Sequence, residues 1–466
     1  MLTDEQQLVV DTVCSSNDNR IIAVNSIAGS GKTSTGDAII RAVQPKNGFY
    51  TAFNRAIVTN SAARFGNLVK CKTVHALAWQ YIRPSSIEEF TPNSIKENIS
   101  YEDKLTVINT LDGFYRSVFT DIEEYVNLAT DDEVIKDLVI SYAIMMLEGK
   151  IPVTFNYLLK CLHLLLLNKE LEINFDLFIL DEAQDTTAVT LEIFKLINSD
   201  KKIIFGDKFQ NIYTFMDTVN AFEELDDLNL LRLTKSFRCN PFVAETVEHF
   251  GRQYLEDDFQ FKGNPDVIQE YGASVAYLSR TNASVIERMY TLMTLGLKFH
   301  SIRNIDELFA LPLAVDTLMQ YRVLTDPKYK FLEKEFYKYL SSNCYGDFTE
   351  YLQLNMGSPV IVSACNTVNK FKKLKIDIKY LKERIKACNT DKRLIVTTAH
   401  AYKGLEADTV IIENDLNNSV NNAILSYQDA KENFAIDLPR EVKEDLNTYY
   451  VALSRAKTVL NNVHYI

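Results

Sequence analysis

The sequence is poor in residues that interrupt a chain, with only 15 glycines and 10 prolines in 466 residues. Long unbroken elements are therefore expected, with helix outweighing strand. Paired cysteines are lacking too. The seven present, at positions 14, 71, 161, 239, 344, 365 and 388, are scattered and show no CxxC spacing. That speaks against a disulfide framework or a zinc ribbon and reads as reduced thiols in a cytoplasmic protein. No run is long and apolar enough to span a bilayer; the most apolar stretch, Leu162 to Leu167, is broken by His163. The opening residues, Met1-Leu2-Thr3-Asp4-Glu5-Gln6, lack the apolar segment of a secretory signal. Positive charge is also short: the formal net charge is −12. Such a chain does not coat nucleic acid by bulk charge, although a local groove that stacks bases on aromatics stays open to it. It holds 24 Tyr and 26 Phe, most of which are expected in the core.

What is present is the composition of a soluble globular protein, 47% hydrophobic and 24% charged, at a length that calls for more than one core. Ile21 to Asn25 is a short apolar β-type run, followed by a glycine-rich turn and a helical stretch from Lys32 to Val43. Gly48 to Phe53 reads as a second strand and Lys72-Thr73-Val74 as a third. Strand alternating with helix predicts a parallel, doubly wound sheet. Between Tyr81 and Glu170 the texture becomes purely helical, which reads as an insertion. Strand runs return at Phe175 to Leu180 and Lys202 to Phe205. A second block of β-type runs lies at Ser274 to Leu278, Val360 to Val362, Leu394 to Thr397 and Thr409 to Ile412, and most of the material between Ile286 and Lys392 is helical.

Ser26-Ile27-Ala28-Gly29-Ser30-Gly31-Lys32-Thr33 lies between the first strand and its helix, the context a phosphate loop requires. Backbone N–H groups of Ala28, Gly29, Ser30 and Gly31 would converge on phosphate oxygens at the positive end of a helix. Lys32 would reach the outer phosphates, and the Thr33 hydroxyl would ligate Mg²⁺. The usual first glycine of this pattern is here Ser26. Downstream, the apolar run Phe178-Ile179-Leu180 ends in Asp181-Glu182. A carboxylate at the C-terminal edge of such a sheet, Asp181, suits Mg²⁺; its neighbour Glu182 suits orienting and deprotonating the attacking water. The plainer alternative is an acidic helix start whose carboxylates offset the dipole.

The phosphate loop together with Leu180-Asp181-Glu182-Ala183-Gln184-Asp185 resembles superfamily 1 helicases of the UvrD/Rep type. Further motifs of that family appear in order. Leu2 to Gln6 resembles the Q motif, Thr73 to Ala78 motif Ib, Gly206 to Tyr213 motif III and Leu233 to Arg238 motif IV. Thr398 to Glu406 resembles motif V and Tyr450 to Lys457 motif VI. The texture of Tyr50 to Arg55 and Ile151 to Phe155 is nearest the F-box-helicase-like branch, and the small size and divergence fit a phage-encoded protein. The resemblance implies an α/β fold of two RecA-like P-loop NTPase domains with inserted helical subdomains, and ATP with Mg²⁺ in the cleft between the domains. The first domain would comprise 1–80 and 171–240 with a helical insertion at 81–170. The second would comprise 241–285 and 390–466, with a reduced insertion at 286–389.

The resemblance also implies roles. Gln6 would read adenine, Phe237 would stack on it and Gln210 would join Lys32, Asp181 and Glu182 in catalysis. Glu406 would contact the nucleotide, and Arg238 and Arg455 would be the arginine fingers. Phe53, Asn54, His75, Tyr213, Phe215 and His400 would face single-stranded DNA, although the aromatic of motif Ia is offset by one residue. Met216 stands where relatives usually have arginine. The basic stretch Lys370 to Lys386 is either a solvated helix face or a contact to the strand backbone. The expected activity is an ATP-dependent DNA helicase moving 3′→5′ on single strands and at junctions with duplex, in replication, repair or recombination. The alternatives are a translocase with little unwinding and an ATP-gated DNA-binding subunit. A monomer without membrane association is expected, with replication or recombination proteins as partners.

Overall fold

The computed structural model describes residues 2–16, 20–52, 54–213, 217–268, 273–342, 346–355, 358–432 and 438–466. The chain divides into two compact units, Met1–Phe237 and Arg238–Ile466.

In the first unit six described strands form one wholly parallel sheet in the order Asn229–Leu233, Ile22–Ser26, Lys202–Gly206, Leu177–Asp181, Gly48–Ala52, Lys70–Cys71. Strands Ile22–Ser26, Gly48–Ala52 and Leu177–Asp181 are buried along their whole length, as strands covered on both faces must be. Chain order is broken around the first strand, and the ends of Ile22–Ser26 and Leu177–Asp181 flank Lys202–Gly206. That is the switch-point position where such sheets collect ligands.

One face of the sheet carries the helices Asp4–Ser15 and Lys32–Val43, sharing a core of Val9, Val13, Ile39, Ile40, Ile179 and Phe205. The other face packs against the helical segment Tyr101–Arg116, Ile122–Ala129, Glu133–Leu147 and Phe155–Leu167, where Val107, Leu111, Leu158 and Leu162 join Phe49, Phe178 and Ile204 in one cluster. Each of these helices starts on a side chain that accepts a backbone N–H, from Ser100, Asp121, Asp132 and Thr154. Within this segment Lys160 is buried, and its ammonium donates to the carbonyls of Ser117 and Phe119 at 2.7 Å each. It thereby satisfies carbonyls at and beyond the end of Tyr101–Arg116.

In the second unit five described strands form another parallel sheet in the order His300–Ser301, Leu394–Thr398, Val275–Ser279, Ala407–Ile412, Ala456–Asn461. Helices from Asn282–Thr294 to Ile378–Cys388 build a core of Met289, Phe309, Val368, Phe371 and Ile385 that reaches Val396. Among the described residues no helix is long and apolar enough to cross a membrane.

Two sequence expectations are corrected. Val360 to Val362 is helical, inside Pro359–Lys373: Pro359 occupies the first turn, and Ile361, Ala364, Cys365, Val368 and Phe371 fall on one buried face. The third strand is Lys70–Cys71, and Val74 already belongs to the helix Val74–Ile82, whose N-cap Thr73 accepts from Ala76.

His163 lies in the buried face of Phe155–Leu167, with its Nδ1 unpartnered among the described residues. Burial, with Lys160 nearby, pulls its pKa down to about 4. The unfolded chain, titrating near 6.5, takes up the proton first, so stability is lost as pH falls from about 6.5 towards 4, by roughly 2–3 kcal/mol. His163→Leu is expected to remove that loss. Urea unfolding at pH 7 and pH 4.5 checks it: the variant should gain on the native chain at the lower pH, and a constant difference would reject the assignment.

Candidate functional site

The phosphate loop is held in place by the segment that follows the edge strand Asn229–Leu233. Ile27 N–H donates to the Leu233 carbonyl at 3.2 Å, the Ser236 hydroxyl to the Ala28 carbonyl at 2.8 Å, and Phe237 N–H to the Gly29 carbonyl at 2.8 Å. Helix Lys32–Val43 starts at Gly31 without a side-chain cap, so its first N–H groups are offered to a ligand. Gly31 has φ +83°, and a Cβ there would stand 2.8 Å from the Gln6 amide nitrogen and 3.4 Å from the Phe237 ring. Only glycine fits, on both conformational and spatial grounds. The same closeness puts Gln6 and Phe237 beside the loop. Ser30 Oγ is buried with no hydrogen-bond partner among the described residues, as a hydroxyl intended for a phosphate oxygen would be.

Across the sheet edge, Lys32 Nζ is 2.5 Å from Glu182 Oε1 and 3.9 Å from Asp181 Oδ1. Burial alone would lower the Lys32 pKa; Glu182 and Asp181 outweigh it and hold the ammonium above the ordinary lysine value. Burial raises the Asp181 carboxyl, with Lys32 opposing and Glu182 adding to the rise. Asp181 Oδ2 accepts from the Tyr50 hydroxyl at 2.5 Å, and Tyr50 in turn accepts from Ser61 at 3.0 Å. Glu182 ends its strand at φ +52°, a left-handed conformation that costs a non-glycine residue about 1–2 kcal/mol. The turn redirects its carboxylate, and Gln184 fixes it with a 2.6 Å bond from Nε2 to Glu182 Oε2.

Gln184 is fully buried, and its Oε1 also accepts from Asp207 N–H at 3.2 Å. A Cβ on Gly206 would lie 2.4 Å from that oxygen, so glycine is needed where the two strands' ends meet. Asp207 then accepts from Gln210 Nε2 at 2.7 Å. Carboxylate pair and Gln210 are thus joined by one hydrogen-bonded path. Sequence reasoning assigned no role to Tyr50, Ser61, Gln184 or Ser236. Gln184 had a signal, its place beside Asp181-Glu182; the others depend on strand register.

For Mg²⁺ the donors present are a hydroxyl, Thr33, and a buried carboxylate, Asp181. Hard oxygen donors of this kind suit Mg²⁺, which takes one or two carboxylates and completes its shell with substrate phosphates and water.

Of the residues expected to face a strand, His75 is half-buried and its Nε2 lies 3.1 Å from Asn156 Oδ1. Asn54 is exposed and caps helix Arg55–Phe65 by accepting from Ala56 at 2.8 Å. Tyr213 is half-buried; Phe53, Phe215 and Met216 lie outside the described residues. In the second unit, Arg238 Nε is 2.7 Å from Glu406 Oε2 and Lys457 Nζ is 3.1 Å from Glu406 Oε1. Burial raises the Glu406 carboxyl, but Arg238 and Lys457 hold it below its usual value. Arg455 is 2% exposed and donates to the Val451 carbonyl at 3.0 Å. His400 Nε2 lies 3.6 Å from Glu444. Of the basic stretch, Lys370, Lys372, Lys382 and Lys386 pair with Glu287, Asp316 and Asp306, the pattern of a solvated face.

Residues 9–216 match the model of the AAA domain. The chain is 24% identical over 524 residues to F-box DNA helicase 1 of Gallus gallus, covering 98% of this chain and 48% of that protein. It is 25% identical over 521 residues to F-box DNA helicase protein 1 of Schizosaccharomyces pombe, covering 98% of this chain and 56% of that protein. Over nearly its whole length the chain is thus similar to DNA helicases, and residues 9–216 carry the match to the AAA domain. It spans about half the length of these relatives. The F-box-helicase-like texture read from Tyr50 to Arg55 and Ile151 to Phe155 agrees with the relatives matched.

Gln6 has two jobs in this geometry, and one substitution separates them. Thr3 and Gln6 form a capping box, with Thr3 N–H donating to Gln6 Oε1 at 3.0 Å, while Gln6 Nε2 points to the loop, 3.4 Å from the Ser30 carbonyl. Gln6→Glu keeps the acceptor the box needs and removes the amide donor. Thermal stability should hold, while ATP affinity by titration calorimetry drops by about tenfold. Unchanged ATP affinity would show that Gln6 only caps the helix.

Proposed function

We propose that this chain is an ATP-dependent DNA helicase that moves 3′→5′ on single-stranded DNA, using Mg²⁺, and separates duplex at junctions. The observation that carries the reading is Lys32 at the mouth of an uncapped helix, paired with the two carboxylates at the end of strand Leu177–Asp181, two strands away in the sheet. The names of the relatives, both DNA helicases over nearly the whole of this chain, support it.

The geometry suggests an order of events. A nucleotide phosphate entering the loop meets the N–H groups of residues 29–33, the orphan Ser30 hydroxyl and the Lys32 ammonium. Phosphate replaces Glu182 as the lysine's counter-ion. Glu182, still tethered by Gln184, is then free to orient a water and take its proton. Thr33 and Asp181 would hold Mg²⁺, which would supply positive charge against the charge that develops on the transferring phosphoryl group. Tyr50 keeps Asp181 aimed, and Gln210 is linked to the pair through Asp207 and Gln184. Arg238 and Arg455 are the proposed cations for the transferring phosphoryl group, and Gln6 with Phe237 the adenine contacts. Tyr213 and His75, with Phe53, Asn54, Phe215 and His400, are the proposed strand contacts, where stacking on aromatics gives about 1–3 kcal/mol per base without sequence preference.

Strand displacement on 3′-tailed, 5′-tailed and blunt duplexes tests the proposal, with Glu182→Gln as control. The native chain should unwind the 3′-tailed substrate. Glu182→Gln should bind nucleotide and lose turnover by about 10²–10⁴-fold. Unwinding of the 5′-tailed substrate alone would refute the direction. Strand-stimulated hydrolysis with no displacement on any substrate would identify a translocase.

A further inference from the structure

A cavity of about 310 Å³ lies on the other side of the carboxylate pair from the phosphate loop's helix, lined by Asp181, Glu182, Thr73, His75, Arg116 and Asn156 among others. Its far wall belongs to the helical segment 101–167, which supplies no motif residue. A path of hydrogen bonds and ion pairs crosses that wall. His75 Nε2 lies 3.1 Å from Asn156 Oδ1, Asn156 Nδ2 donates to Asp112 Oδ1 at 2.7 Å, and Asp112 Oδ2 is ion-paired with Arg116, 3.0 Å from an Nε that is not aligned for a hydrogen bond. Arg116 Nη2 is 3.1 Å from Asp217 Oδ2.

The chemistry of the partners fixes the direction of each bond. A carboxylate only accepts, so the Asn156 NH₂ must face Asp112 and its oxygen must face His75. His75 Nε2 therefore carries the proton, and burial keeps the imidazole neutral by lowering its pKa. Arg116 closes the path as the last residue of Tyr101–Arg116. A cation there that merely offset the helix dipole would reach into solvent. Arg116 instead is 19% exposed at its side chain and set between two carboxylates from different parts of the chain. Desolvating a guanidinium in this way is costly, and the two carboxylates that flank it offset that cost. Asp217 precedes Thr218, whose hydroxyl donates to the Tyr213 carbonyl at 3.0 Å, and in the Gln210 segment that leads to Tyr213 Asn211 Nδ2 donates to the Gln184 carbonyl at 2.6 Å, while Gln210 itself reaches the carboxylate pair through Asp207 and Gln184.

We propose that Arg116 is a positioning residue that couples strand binding to ATP turnover. It ties the end of the Gln210 segment to the helical insertion through Asp217, and both to His75 through Asp112 and Asn156. The inference rests on the function proposed above. A strand that displaces His75 would shift Asn156 and Asp112, and with them the ion pair that holds Asp217, so the path back to Gln184 and Glu182 changes with strand occupancy.

The test uses the full chain and the variants Arg116→Met, Arg116→Lys and Asn156→Ala, with oligo(dT) as the strand. Basal hydrolysis, the KM for ATP, oligo(dT) affinity and strand-stimulated kcat are measured for each. Arg116→Met and Asn156→Ala should keep the first three and lose about tenfold in stimulated kcat, and Arg116→Lys should recover part of it. Full stimulation in both Arg116→Met and Asn156→Ala would overturn the proposal, as would equal loss of basal and stimulated rates. Should Arg116→Met fail to fold, Asn156→Ala decides alone. A native chain that hydrolyses ATP without any response to oligo(dT) would instead overturn the proposed function, and this coupling with it.

Discussion

The Lys32 ammonium sits between two carboxylates, 2.5 Å from Glu182 and 3.9 Å from Asp181, and the rest of the first unit is arranged so that this contact can be made and exchanged. Paired as it is, each charge is compensated in a buried place where an unpaired one would be very costly. Under the proposed mechanism a triphosphate would offer Lys32 more negative charge than one carboxylate does, and its arrival would release Glu182 to act on water, so that binding and activation would be one event.

Several features that look unrelated serve this contact. The left-handed turn at Glu182 aims its carboxylate, and Gln184 holds it on a short tether. Gly206 has no side chain because the Gln184 amide occupies the space. Tyr50, on the neighbouring strand, fixes Asp181 and is itself held by Ser61 of helix Arg55–Phe65. Ser236 and Phe237 clamp the loop carbonyls, so the N–H groups opposite face outward. The helical segment 101–167 shares a core with the sheet and therefore cannot move without disturbing it. That shared packing lets a polar path from His75 to Asp217 carry information rather than merely occupy space.

Fold class was legible because the central strands are short, mostly apolar and largely buried, a pattern with few alternatives at that length. Asn229–Leu233 escaped notice: it is a half-exposed edge strand without clean alternation. Val360 to Val362 read as β because three residues are too few to show a helical period, and Pro359 was a better guide. At the site, Lys32, Asp181 and Glu182 could be named because their chemistry is tied to local context, a turn after a strand and a strand's end. Tyr50 on Asp181, and Arg116 between Asp112 and Asp217, could not. The first depends on the register between two parallel strands and the second on how a helical insertion docks, neither of which has a local signature.

Whether exchange of the Lys32 counter-ion drives directional stepping is tested most directly by stopped-flow arrival kinetics on single strands of graded length. Each strand carries a fluorophore at one end, and the chain is pre-bound before ATP and a trap are mixed in. The account predicts a lag that grows in proportion to length for a fluorophore at the 5′ end and no such lag for one at the 3′ end, with Glu182→Gln silent at both. Arrival times independent of length at both ends would contradict it and leave an ATP-responsive strand binder in place of a motor.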